Sequence, residues 1–222
     1  MRKLKPRYQT LIVGCGIRQV RQVKEKCVAI DISQEYLDKA KEIKPDNIYI
    51  RASVENLPFE NGSFRKVIFT HVLEHLDNPK KAISEIYKVL EHNGILFLVV
   101  PSKELEDFLS KHNSVFERDF VKGFHKTHFD EDKLKLYLKD FQSVSIEKIR
   151  GKDIVFWWLW GKFISAFHLE KQFYIEECGQ IHSKKYDKLA RQFSRMLYLI
   201  NIFLSPFIFR NIVSEYQVIA TK

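Results

Sequence analysis

Apolar residues in this chain come as short unbroken blocks, with stretches of helical period between them. The run "TLIVG" (10–14) ends on a glycine and "CVAID" (27–31) ends on a carboxylate. Both are uninterrupted, as strands buried on two faces are. After Asp31, Ser33 is placed to cap "QEYLDKAKEI", whose Tyr36, Leu37, Ala40 and Ile43 recur on one helical face. "NIYI" predicts a third strand and "KVIFT" a fourth, separated by the polar loop "RASVENLPFENGSF". "NPKKAISEIYKVLEHNG" reads as a helix with Ala82, Ile83, Ile86, Tyr87 and Leu90 inward and a stop at Asn93-Gly94, followed by the strand "ILFLVV" and Pro101. Five alternations of strand and helix predict an α/β fold, a doubly wound, mostly parallel sheet with right-handed crossovers and helices on both faces.

Beyond Pro101 the pattern loosens. "KELEDFLSKH" has helical spacing, and "FDEDKLKLYLKDF" predicts a helix capped by Asp130 that packs Leu134, Leu136, Tyr137 and Leu138. "SVSIEKI" and the terminal "EYQVIATK" alternate as strands do, the second like an edge strand. Residues 152–213 then stand as a helical, aromatic-rich insertion before the last strand, within a single domain spanning 1–222. In it, Leu189, Phe193, Met196, Leu197, Ile200, Phe203, Leu204 and Phe207 follow one helical face, preceded by Lys184, Lys185, Lys188, Arg191 and Arg195. Trp157, Trp158 and Trp160 cluster at its start. Four readings stay open for it: a cap over the core, a homodimer interface, peripheral membrane contact with basic residues at the head groups, or a groove for a lipid-like acceptor.

Composition narrows this picture. The 222 residues carry 37 Lys plus Arg against 28 Asp plus Glu, a net charge of +9 that suits an anionic partner or simply solvates the surface. No recognisable RNA-binding module accompanies the charge, so nucleic acid is not the expected partner. Cys15, Cys27 and Cys178 have neither redox nor metal-ligand spacing, which points to a reducing, cytoplasmic compartment and to no bound metal. The N-terminus lacks the apolar stretch of a signal peptide, and no apolar run reaches membrane-spanning length.

The chemistry starts at "LIVGCG". A strand, a Gly-x-Gly turn and an acidic residue ending the next strand make a nucleoside site, because glycines admit close backbone approach and the carboxylate accepts two ribose hydroxyls. Gly14 could equally serve only a positive-φ turn, and Asp31 only a helix entry.

The stretches "LIVGCG", "AIDISQEYLDKAKE", "ENLPFENGSFRKVIFTHVLEHLDNPKKAISEIYKVLEHNGILFLVVP" and "FHKTHFDEDKLKLYLKDF" resemble, in order, the class I S-adenosylmethionine-dependent methyltransferases of the methyltransferase-11, small-molecule type. The resemblance implies a seven-stranded Rossmann-like sheet with S-adenosylmethionine as cofactor. It places the backbone of Gly14, Cys15 and Gly16 along the methionine part, Asp31 on the ribose and Ile32 on one adenine face. Ala52 and Ser53 would line the adenine edge, with Thr70 and His71 beside the sulfonium. The chain departs from the family pattern at Ile12 and Ala52, where carboxylates are usual, at Arg65 in place of an aspartate, and at Arg18 in place of the third glycine. Arg18 is expected to pair with the cofactor's methionine carboxylate, unless it only faces solvent on a basic helix.

Methyl transfer needs alignment and, for many acceptors, one base. His71 is the candidate by position, with His75 and His125 behind it, and Glu74 reads as a surface or helix-end charge. The signatures of base-amine or pyrimidine-ring methylation and of phosphate-binding loops are absent from the sequence. The expected activity is methyl transfer to oxygen or nitrogen of a small or lipid-linked acceptor. The rival is an inactive methyltransferase-like scaffold, suggested by Ile12, Arg18 and Ala52.

Overall fold

Strand β1 (Thr10–Val13) forms because four successive residues bury both faces, and Gly14 ends it by turning left-handed at φ +67°. The computed structural model describes residues 3–112, 117–150, 158–160, 162, 173–175, 181–183 and 212–222. A short helix α1 (Ile17–Gln22) leads to β2 (Val28–Asp31). Helix α2 (Gln34–Ile43) begins as predicted, the Ser33 hydroxyl accepting the Tyr36 N–H, and buries Leu37 and Ala40. Removing that cap in Ser33→Ala should cost about 1 kcal/mol, read as a lower urea midpoint at unchanged slope.

Next come β3 (Ile48–Arg51), β4 (Phe64–Thr70), helix α3 (Pro79–Val89) and β5 (Leu90–Pro101). The strands order β3-β2-β1-β4-β5-β9-β6, with β6 Ser143–Arg150 and β9 Val213–Thr221. All pairings from β3 to β5 are parallel, so this is the seven-stranded, mostly parallel sheet of a Rossmann-like fold. Its register puts Leu11 beside Val28 and Val67, and all three are fully buried. Beneath β1 and β2, Ile12, Cys15, Val20, Val23, Cys27, Ala29, Leu37 and Ala40 form one core cluster.

Three expectations change. Helix α3 stops at Val89, because Leu90 already pairs with Phe64 across an irregularity in the β4–β5 register. Asn93, at φ +61°, is therefore a kink within β5, and its N–H donates to the Lys222 carbonyl. The last strand is interior: β9 lies between β5 and β6, and β6, half exposed along its length, is the edge. Leu136, expected inside, is 58% exposed, because α5 (Glu131–Tyr137) buries Leu134 and, just past its end, Leu138 instead.

The chain divides into two compact units, one of Met1–Val100, Glu131–Glu147 and Gln217–Lys222, the other of Pro101–Asp130 and Lys148–Tyr216. In the second unit, α4 (Lys103–His112) is entered through Ser102, whose hydroxyl accepts the Leu105 N–H. A π-helix follows at Glu117–Phe124. Glu106, buried in α4, accepts from Nδ1 of both His125 and His128. Within the predicted insertion, β7 (Phe173–Ile175) and β8 (Ile181–Ser183) pair antiparallel, so that segment is not wholly helical, and Trp160 is fully buried. The periodic stretch 189–207 lies outside the described residues. No helix among the described residues is long and apolar enough to cross a membrane.

Candidate active site

The order β3-β2-β1-β4-β5 reverses direction between β1 and β4, the switch point where open α/β sheets bind ligands at their carboxyl ends. Gly14, Asp31, Thr70 and His71 all stand at the carboxyl ends of β1, β2 and β4. The topology thus brings together three sequence-distant parts of the expected site.

At the turn, glycine is required at position 14 twice over. Its φ of +67° is left-handed, and a Cβ there would collide with Cγ2 of Val72. The N–H groups of Gly14 and Cys15 both donate to the Ile30 carbonyl, at 3.0 and 3.1 Å, and the Gly16 N–H donates to the Gly14 carbonyl at 2.8 Å. The turn is therefore a rigid wall, with its amides already engaged by the chain. Its use to a ligand is close approach.

Cys15 contributes backbone only, since its side chain is fully buried in the core. Burial, then the nearby Asp31 charge, pushes its thiol up to about 12, and burial pushes Cys27 up to about 11. Both thiols stay protonated at neutral pH, so iodoacetamide should label neither until the protein unfolds, as peptide mapping would show. Because the folded values lie above the unfolded ones, the fold keeps this contribution below about pH 9. It should lose stability as pH rises through the window to about 12.

Asp31 fills the helix-entry role that the sequence left open. Its Oδ1 accepts the Ser33 N–H at 2.9 Å, which shapes the entry to α2, and its carbonyl accepts the Ala52 N–H at 3.1 Å. Ile32 is 70% exposed, a large apolar side chain with one face uncovered. Beside it lies a shallow cavity of about 350 Å³ lined by Ile32, Arg51, Ala52 and Ser53. Arg51, which the sequence reading did not single out, donates Nε–H to the Ile32 carbonyl at 2.9 Å and so fixes this rim from the β3 side. Ser53 is occupied as a cap, its hydroxyl accepting the Glu55 N–H. Ile12 is fully buried in β1, which explains an apolar residue there: the position belongs to the core. Arg18 lies in α1, and its side chain is outside the described residues.

His71 follows β4 with its N–H donating to the Val99 carbonyl, its φ left-handed at +53°. Such a backbone costs a non-glycine residue of order 1 kcal/mol and tends to be kept where function demands it. The imidazole is 39% exposed, and its Nδ1 lies 3.7 Å from Glu74 Oε1. Glu74 overturns its expectation: it is 1% exposed, carried by the 3-10 turn Leu73–His75, with His75 Nε2 at 4.0 Å from the same oxygen. His125 belongs to the Glu106 cluster of the second unit.

The residues present fit an adenosyl group in three respects: a glycine wall without room for a Cβ, a carboxylate at the end of β2, and an uncovered apolar rim beside a cavity. Ala52 supplies no side-chain acceptor, so an adenine amino group would have only backbone there.

Comparison with known proteins agrees. Residues 11–98 match the methyltransferase domain family. The chain is 33% identical over 103 residues to a demethylmenaquinone methyltransferase of Chlamydia felis, covering 42% of this chain and 45% of that protein. It is 29% identical over 160 residues to an uncharacterized protein of Methanocaldococcus jannaschii, 68% of each. Its match to another uncharacterized protein of that organism, 37% identical over 91 residues, covers 40% of this chain and 36% of that one; like the match to the Chlamydia protein, it spans less than half the relative's length.

Among solved structures, an S-adenosylmethionine-dependent methyltransferase from Archaeoglobus fulgidus superposes with a TM-score of 0.53 at 16% identity, over 96% of this chain and 85% of that one. The [4+2]-cyclase SpnF superposes with a TM-score of 0.56 at 15% identity, over 96% and 74%. At such identities these two show the fold, which hosts more than one chemistry. Over residues 11–98 the chain is thus similar to the methyltransferase domain family, on a sheet with the strand order of a Rossmann-like fold.

Proposed function

We propose that this chain transfers the methyl group of S-adenosylmethionine to an oxygen or nitrogen of a small or lipid-linked acceptor, with His71 as the base. The observation that carries the reading is the convergence of the Gly14 wall, the Asp31 carboxylate and the open Ile32 rim at the strand-order switch. When bound, S-adenosylmethionine supplies a methyl already activated on sulfonium. Asp31 would hold the ribose hydroxyls, Ile32 would cover an adenine face and the Gly14–Gly16 backbone would set how closely the methionine part approaches. Thr70 and His71, at the end of β4, would stand beside the transferred methyl. His71 would take the proton that the acceptor's oxygen or nitrogen gives up.

Relatives bear on a lipid-linked acceptor and not on the atom methylated, since a relative from Wigglesworthia glossinidia brevipalpis, 38% identical over 63 residues, is named a C-methyltransferase. Besides the demethylmenaquinone enzyme, a rice protein named for 2-methyl-6-phytyl-1,4-hydroquinone methylation is 27% identical over 119 residues, covering 50% of this chain and 36% of that protein. Both names describe quinone-type rings, the second with a phytyl tail. The tryptophan-rich, basic insertion of residues 152–213 suits such an acceptor, whether it caps the site, touches a membrane surface or pairs two copies.

The test is methyl transfer from labelled cofactor to a panel of tailed and untailed phenols and amines, with His71→Asn as control. Asparagine tolerates the left-handed backbone. The variant should melt within about 2 °C of wild type and lose about 10²- to 10⁴-fold in kcat. Unchanged turnover would remove His71 from the reaction.

A second reading, an inactive binding or scaffold protein, is favoured by the engaged amides of the turn and by Ala52. Cofactor binding without turnover on any acceptor would select it.

A further inference from the structure

We propose that Glu74 is a positioning residue that holds His71 as the Nδ1–H tautomer, leaving Nε2 as the nitrogen that accepts a proton. The inference rests on the reading of His71 as the base.

The argument starts from burial. A carboxylate that is 1% exposed has left water, and a carboxylate in that position is tolerated only with donors close by. Glu74 has two imidazoles within ion-pair range on one oxygen: His71 through Nδ1 at 3.7 Å and His75 through Nε2 at 4.0 Å. A carboxylate accepts and does not donate, so the ring nitrogen turned toward it is the one that carries hydrogen. In neutral His71 the proton then belongs on Nδ1 and the lone pair on Nε2.

The local backbone fixes this relation. The His71 N–H is tied to Val99 at the end of β5, and the Leu73–His75 turn is closed by the His75 N–H on the Val72 carbonyl at 3.0 Å. Val72, between them, packs against Gly14. His71 is thus held left-handed by its neighbours on both sides, with Nδ1 the ring nitrogen 3.7 Å from the buried acid. A base oriented by a carboxylate on its far nitrogen is a recurring solution, and catalytic hydrogen bonds commonly shorten from such distances when substrate closes the site.

The tautomer is read directly by long-range proton–nitrogen NMR of the full chain, with the His71 ring assigned by its loss in His71→Asn. Wild type should show a protonated Nδ1 and an unprotonated Nε2. Glu74→Gln, equal in size and able to turn its amide either way, should lose that preference, and Glu74→Asp, which keeps the charge, should retain part of it. In turnover, Glu74→Gln should lower kcat by about 10²-fold with the KM for cofactor unchanged, partly rescued in Glu74→Asp. An Nε2–H ring in the wild type, or the same His71 spectrum with and without the Glu74 charge, would overturn the proposal. The spectrum needs no turnover, so absence of methyl transfer would count against the proposed function and leave the tautomer result to stand or fall by itself.

Discussion

Gly14→Ala should destabilise the fold by about 2 to 5 kcal/mol, the largest single-residue effect expected here. The left-handed backbone contributes about 1 to 2 kcal/mol, and the collision of the new Cβ with Val72 contributes about 1 to 3 kcal/mol. At this chain length the loss corresponds to a fall of roughly 10 °C in melting temperature. The two terms separate experimentally. In a Val72→Ala background the blocking methyl is gone, so the steric part should disappear while the backbone part remains. Coupling of at least about 1 kcal/mol between the two substitutions is the expected sign of the close approach. Strict additivity would mean that the glycine is required for its backbone angle alone.

The second large effect concerns Asp31. A carboxylate that accepts two ribose hydroxyls makes two charge-assisted bonds, each worth about 1.5 to 3 kcal/mol. Their loss, offset partly by water, should weaken cofactor binding by about 100-fold in Asp31→Ala. Alanine also removes the acceptor that the Ser33 N–H uses at 2.9 Å, so this variant should lose stability as well. Asp31→Asn keeps an oxygen for Ser33 and surrenders the charge. It should melt near wild type and still bind cofactor about tenfold or more weakly by calorimetric titration. Equal affinity in wild type and Asp31→Asn would reduce Asp31 to a helix-entry residue.

Much of this was legible in the sequence, for local reasons. Unbroken apolar blocks ended by Gly14 and Asp31 mark strands buried on both faces, those ended by Thr70 and Pro101 mark strands that also carry part-exposed positions such as Ile68 and Ile95, and Ser33 caps its helix just where the pattern changes period. Pairing order is not local. The alternation in "EYQVIATK" resembles an edge strand, yet β9 sits inside the sheet, because its neighbours β5 and β6 are chosen by tertiary contact. The end of α3 differs from its pattern for the same reason: Leu90 continues the helical spacing, but pairing with Phe64 draws it into the sheet.

In the candidate site, strand-turn-strand spacing singles out Gly14 and Asp31, and the family resemblance adds Ile32. Neither singles out Glu74. A glutamate inside the short turn Leu73–His75 looks like any surface charge until burial is known, and only the fold turns it toward His71. The engaged amides of Gly14 and Cys15 were equally invisible, since a turn sequence does not say which carbonyl its N–H groups meet.

The central claim is that the crevice over Gly14 and Asp31 receives an adenosyl group, and thermal denaturation with S-adenosylhomocysteine tests it most directly. At about 100 times the dissociation constant, wild type should gain roughly 2.7 kcal/mol and melt about 5 to 10 °C higher. At the same ligand concentration Asp31→Asn should gain clearly less. Identical melting curves with and without S-adenosylhomocysteine and S-adenosylmethionine, up to millimolar ligand, would contradict the account.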